Sequence, residues 1–116
     1  MVALLAALAL AGPPKATLAS GTTSVPLTVS SWCWNQRCGA PFAASTKTLV
    51  AAPGALVSVT LTFVPKRATL SIGGRPVTVA VHGRTLSWTA RRGGGLTLRT
   101  TAAPGFVTYV ARLRIR

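Results

Sequence analysis

The sequence predicts an all-β protein, a small antiparallel β-sandwich, from three observations. Beyond an apolar N-terminal leader, apolar and polar residues alternate with a period of two, and turn residues recur about every ten residues. No stretch outside the leader has the apolar repeat of an amphipathic helix. The chain has 116 residues, enough for one small domain. Seven or eight short strands with polar outer faces are typical of an immunoglobulin-like or fibronectin-III-like sandwich, and a small β-barrel is the alternative.

Each strand is predicted from the alternation itself. The clearest run covers residues 57–63, where Val57, Val59, Leu61 and Phe63 alternate with Ser and Thr. The same pattern recurs at residues 25–29, 68–72, 77–81, 86–90, 96–98 and 107–115, and the last run is the longest. Gly73-Gly74 and His82-Gly83 are turn signals between runs. They predict tight hairpins and therefore a meander over residues 63–101.

The N-terminal leader is predicted to be a secretory signal peptide over residues 1–19, which leaves residues 20–116 as the domain. Residues 2–11 are Ala, Leu and Val only. A membrane-spanning helix needs about 20 apolar residues, so no transmembrane segment is predicted. Thr17-Leu18-Ala19 offers small residues at a cleavage site before Ser20, although no Lys or Arg precedes the apolar run. The alternative is a hydrophobic first strand or a disordered leader.

The composition excludes most kinds of active site. The chain contains 13 Lys and Arg, one His and no Asp or Glu. Without carboxylate side chains there is no glycosidase pair, aspartic dyad or Ser-His-Asp triad. Two cysteines and His82 are too few ligands for a structural zinc site. We therefore expect a non-enzymatic protein with no catalytic residues, no metal and no cofactor.

The two cysteines predict a disulfide-closed loop. Cys33 and Cys38 suit a disulfide in a small exported domain. If the preceding strand continues its alternation, Cys33 points inward and the flanking tryptophans point outward. Aromatic faces beside amide and guanidinium donors suit a sugar ring or nucleic-acid bases. The alternative is a bulge at Ser30-Ser31 that reverses the register and packs one Trp over the disulfide as part of the core. The predicted ligand-contact loop consists of Trp32, Trp34, Asn35, Gln36 and Arg37.

The arginines predict an anion-binding surface. Arg112, Arg114 and Arg116 share one face of the last strand, about 6.6 Å apart. In a simple meander this strand ends beside the turns that carry Arg75, Arg91 and Arg92. Arg side chains bind phosphate or carboxylate oxygens bidentately. The alternative is a set of ordinary solvated positions, with charges that protect an edge strand from aggregation. A smaller group, Lys66, Arg67, Arg84 and His82, is expected at the opposite end. The predicted anion-binding residues are Arg75, Arg91, Arg92, Arg112, Arg114 and Arg116.

These features together predict a small secreted or cell-envelope protein that associates with anionic polymers. Charge of one sign, without internal compensation, attracts an anionic cell-surface polymer such as a teichoic acid, an acidic polysaccharide or lipid headgroups. Nucleic acid would be bound without sequence specificity. The alternative is a protein-interaction or structural envelope module that docks on an acidic protein.

Overall fold

The computed structural model describes residues 12–39 and 46–116, and within these ranges the chain forms twelve strands and no helix. The first six strands are β1 (Ala16–Ser20), β2 (Thr23–Pro26), β3 (Thr28–Trp34), β4 (Arg37–Gly39), β5 (Thr48–Ala51) and β6 (Leu56–Leu61). The remaining six are β7 (Arg67–Ile72), β8 (Arg75–Val77), β9 (Ala80–His82), β10 (Thr85–Thr89), β11 (Gly94–Ala102) and β12 (Gly105–Ile115). The prediction of an all-β fold is confirmed.

The strands form two sheets, an arrangement compatible with a β-sandwich. The five-stranded sheet has the order β2-β1-β6-β10-β9. The seven-stranded sheet has the order β4-β3-β12-β11-β7-β8, with β5 also pairing with β12. Neighbouring strands are antiparallel except β5, which runs parallel to the C-terminal half of β12. Because β3 pairs with the N-terminal half, β12 has a partner strand along both sides.

The core lies between the sheets and is built by the alternating residues. Val57 and Val59 of β6, Leu98 of β11 and Tyr109 of β12 are fully buried. The predicted alternation is therefore confirmed in the long strands. It fails in β9, where Val81 is 48% exposed, because this short strand lies at the edge of its sheet with all three residues exposed.

The predicted meander over residues 63–101 is wrong, although both of its hairpins are present. β7 and β8 pair around Gly73-Gly74 in the seven-stranded sheet, and β9 and β10 pair around His82-Gly83 in the five-stranded sheet. Both glycines of the first turn have positive φ, 59° and 79°, as a two-residue hairpin turn requires. The buried side chains of the two hairpins, Leu70 and Ile72 of β7 and Leu86 and Trp88 of β10, belong to the one core between the sheets. The chain therefore changes sheets between β8 and β9.

The end of the predicted signal peptide forms an interior strand. Residues 1–11 lie outside the described residues, but β1 pairs with both β2 and β6. Leu18 is fully buried and Ala16 is 4% exposed. Just before β1, the Tyr109 hydroxyl donates a 2.7 Å hydrogen bond to the carbonyl of Pro14. A domain beginning at Ser20 would lack these contacts.

Candidate anion-binding surface

The cations of this protein are all exposed and have no acidic side chain to pair with. Each of the 13 Lys and Arg side chains lies in the described ranges and is exposed. Since the sequence has no Asp or Glu, no acidic side chain of the chain can neutralise them. The positive charge is therefore balanced by solvent ions or by a partner.

Four arginines project from the outer face of the seven-stranded sheet, which is the face turned away from the core. Arg67 and Arg99 alternate with the buried residues of β7 and β11, and Arg112 and Arg114 alternate with those of β12. Hydroxyl side chains lie between them in the pairing register. Arg99 faces Thr69 and Thr108, Arg112 faces Thr48, and Arg67 faces Thr101. Neighbouring strands lie about 4.8 Å apart, so these side chains form a continuous surface.

Two open grooves flank Arg99 on this outer face. One, of about 360 Å³, runs toward β7 and β8 and is lined by Thr69, Ser71 and Pro76. The other, of about 570 Å³, runs toward β3 and β12 and is lined by residues that include Ser31, Thr108 and Phe106. Arg99 and Thr97 line both grooves. The surface thus offers guanidinium donors beside hydroxyl groups that donate and accept, a combination suited to phosphate, sulfate or carboxylate groups on a polymer.

The pairing register places the arginines predicted from sequence at one end of the two sheets. Gly94 pairs with Leu113, and Leu96 pairs with Ile72. The end of β12, the start of β11 and the β7–β8 turn therefore adjoin, although the meander used to predict this was wrong. This Arg-rich end comprises Arg75, Arg91, Arg92, Arg112, Arg114 and Arg116. Anion binding by these side chains stays a prediction.

The outward orientation expected for the tryptophans is wrong, and the register reversal of the alternative is confirmed. The alternative is wrong in placing a Trp over the disulfide, because the cysteines lie on the opposite face. Along β12, Thr108 pairs with Ser31 but Tyr109 pairs with Val29, so one residue of β3 bulges between these pairs. After the bulge, Trp32 pairs with the buried Val107. Both Trp32 and Trp34 are half-buried and pack against the core.

The tryptophans have structural contacts that explain their positions. The Trp32 indole lies over Gly39, where an added Cβ would be 2.6 Å from Nε1. The rings of Trp34 and Phe63 have centroids 4.9 Å apart. The exposed part of the predicted ligand-contact loop is therefore Asn35, Gln36 and Arg37.

The predicted disulfide is present and closes this hairpin from the outer face. The Sγ atoms of Cys33 and Cys38 are 2.03 Å apart. Cys33 pairs with the exposed Phe106 of β12, on the face opposite the tryptophans. Asn35 and Gln36 form the turn, both with positive φ, and the amide of Asn35 donates to the carbonyl of Pro104.

Arg99, at the centre of the outer face, is not among the anion-binding residues predicted from the sequence. Its outward orientation follows from Leu96 and Leu98, which alternate with it and are buried. Its central position follows from the strand order β12-β11-β7, which pairs distant parts of the chain. The alternation therefore predicts the outward orientation of Arg99 but not its central position in the sheet.

No family model, curated protein or solved structure matches this chain. Among residues 12–39 and 46–116, no group of three His, Cys, Asp or Glu side chains lies close enough together to hold a metal ion. In the same described part of the chain, no helix combines the length and apolar character needed to cross a bilayer.

Proposed function

We propose that this protein binds anionic polymers through the outer face of the seven-stranded sheet, without catalysing a reaction. The observation that supports this proposal is the row of outward arginines among hydroxyl side chains, in a chain without a single acidic residue. A flat face of this kind contacts several groups of an extended polymer at once. The Arg-rich end would extend the contact beyond the last residues of β12.

The binding should depend steeply on salt, because each polymer charge that a guanidinium neutralises releases a counterion. For duplex DNA the slope of log K against log salt is about −0.9 per neutralised phosphate, so contacts from four arginines predict a slope of roughly −3 to −4. A flexible polymer such as a polyphosphate or an acidic polysaccharide should show the same behaviour with a somewhat smaller slope.

The experiment compares two double variants that carry the same net charge. Arg99→Gln/Arg112→Gln removes two central cations from the outer face, and Lys15→Gln/Arg84→Gln removes two exposed cations elsewhere. Binding of fluorescent polyphosphate is measured by anisotropy at several salt concentrations. We expect the outer-face variant to lose at least tenfold in affinity at low salt and the control variant to lose far less.

Two results would contradict the proposal. Equal losses in both variants would show that net charge alone attracts the polymer and that the outer face has no special role. Failure of the wild-type protein to bind at low salt, or binding that persists at near-molar salt, would rule out the electrostatic mechanism itself. An acidic protein partner remains the second candidate, and it would use the same surface.

We further propose that the protein is exported and that its two sheets form an immunoglobulin-like or fibronectin-III-like sandwich. The disulfide supports an oxidising compartment. The buried contacts of β1 favour signal-peptide cleavage before this strand rather than after Ala19. The intact mass of the secreted protein distinguishes the two sites: a chain beginning before Ala16 supports cleavage ahead of β1, and one beginning at Ser20 contradicts it. Recovery of the protein from the cytoplasm alone would contradict export.

A further inference from the structure

A small pocket opens between the two sheets at the Arg-rich end. It has a volume of about 190 Å³, with Ile72, Pro76 and Val77 on one side and Trp88, Arg91 and Arg92 on the other. The first three belong to β7 and β8, and the others lie in or just after β10. Each sheet therefore contributes one wall.

The pocket forms where the chain crosses from one sheet to the other. β9 pairs with Thr85, Leu86 and Ser87 of β10, and its pairing with β10 ends there. Trp88 and Thr89 thus have no β9 residue beside them, because Thr78 and Val79, which precede β9, connect it to β8. The mouth of the pocket is a consequence of this crossover.

Trp88, in the wall of the pocket, has a buried indole N–H without an acceptor among residues 12–39 and 46–116. The side chain is 6% exposed, and Nε1 has no hydrogen-bond partner among the described residues. Buried donors are nearly always satisfied by protein, water or ligand, because an unmade hydrogen bond leaves the desolvation penalty uncompensated. Since the chain has no Asp or Glu, no acidic side chain of its own can serve as the acceptor.

From this combination we infer that the pocket binds a small apolar carboxylate. The aliphatic side chains and the indole ring accommodate an apolar body, while the exposed Arg91 and Arg92 attract a carboxylate. The volume corresponds to roughly six water molecules at about 30 Å³ each, so the ligand is about the size of an aromatic or short aliphatic acid. The pocket adjoins the outer face, because Pro76 also lines the groove beside Arg99, but its two arginines are not among the four of that face.

The experiment follows the three indole N–H groups of the full-length, ¹⁵N-labelled protein during titration with phenylacetate. We expect the Trp88 signal to shift while those of Trp32 and Trp34 stay in place. Benzyl alcohol lacks the charge and acetate lacks the apolar body, so both should shift Trp88 at least tenfold less at equal concentration. No Trp88 shift with millimolar phenylacetate, or equal shifts with either control compound, would overturn the inference.

Two charge variants test the role of the guanidinium groups. Arg91→Gln/Arg92→Gln should weaken phenylacetate binding at least tenfold, and the matched Lys66→Gln/Arg84→Gln should leave it within twofold. Equal weakening in both would contradict a local site. The Arg99→Gln/Arg112→Gln variant should bind phenylacetate normally and polyphosphate poorly, so failure of the pocket and failure of the polymer surface are separate results.

Discussion

Removal of residues 12–19 should unfold the domain, because these residues include an interior strand. The test compares a protein that begins at Gly12 with one that begins at Ser20. The shorter protein loses most of β1 and with it the pairing to β2 and β6. It also loses Pro14, the acceptor of the buried Tyr109 hydroxyl.

The loss of stability follows from these buried groups. Replacing a buried Leu by Ala typically costs about 2–5 kcal/mol, and Leu18 is fully buried. The lost hydrogen bond of the Tyr109 hydroxyl adds about 0.5–1.5 kcal/mol. Domains of this size are stable by only about 5–15 kcal/mol, so the combined loss is a large part of the total.

Urea denaturation followed by tryptophan fluorescence measures the effect. The protein beginning at Gly12 should unfold cooperatively, and the one beginning at Ser20 should be unfolded or have a far lower midpoint. Within the longer protein, Leu18→Ala should cost about 2–5 kcal/mol, whereas Thr17→Ala, on the exposed face of the same strand, should cost about 0.5 kcal/mol or less. Equal midpoints for the two lengths would refute the assignment of β1 to the folded domain.

Three further predictions concern stability. Gly105→Ala should lower the free energy of unfolding by about 3 kcal/mol, because the added Cβ would overlap the Cys33 carbonyl oxygen. The control Gly95→Ala, where the Cβ meets nothing within 4 Å, should be nearly neutral in the same urea assay. Burial raises the pKa of the Tyr109 phenol above its usual range. The phenol therefore ionises more readily in the unfolded chain, so the free energy of unfolding should decrease as the pH rises above about 10. Tyr109→Phe should make the free energy of unfolding less dependent on pH in this range. Sodium chloride should raise the thermal midpoint, because it screens repulsion among 13 cations and has no acidic side-chain pairs to weaken; a falling midpoint would contradict this.

The period-two alternation predicted which side chains are buried but not which sheet contains them. Leu70 and Leu86 follow the same pattern, and both are buried. They lie in opposite sheets, because the chain crosses over between β8 and β9. Alternation records which side of a strand is apolar, whereas sheet order depends on pairings between distant residues.

The tryptophans show how one residue can reverse a local prediction. A single bulged position in β3 moves Trp32 and Trp34 to the core side and Cys33 to the outer side. Neither Ser30 nor Ser31 differs chemically from an ordinary strand residue, so the sequence alone left both registers open. The charged surface was easier to predict, because an unpaired Arg strongly favours water over the core.

The positions of the arginines separate structural from functional explanations of the charge. Charges and prolines on edge strands prevent unwanted pairing, and β8, an edge strand, has both Arg75 and Pro76. This explanation does not apply to Arg99, which lies on a strand paired on both sides, or to Arg112, which lies between Gly95 and Thr48. Threonine has a high β-propensity, so strand formation alone does not require Arg at either position. The central arginines are therefore better candidates for ligand contact than the edge arginine, and Arg99→Thr should weaken polymer binding while leaving the urea midpoint nearly unchanged.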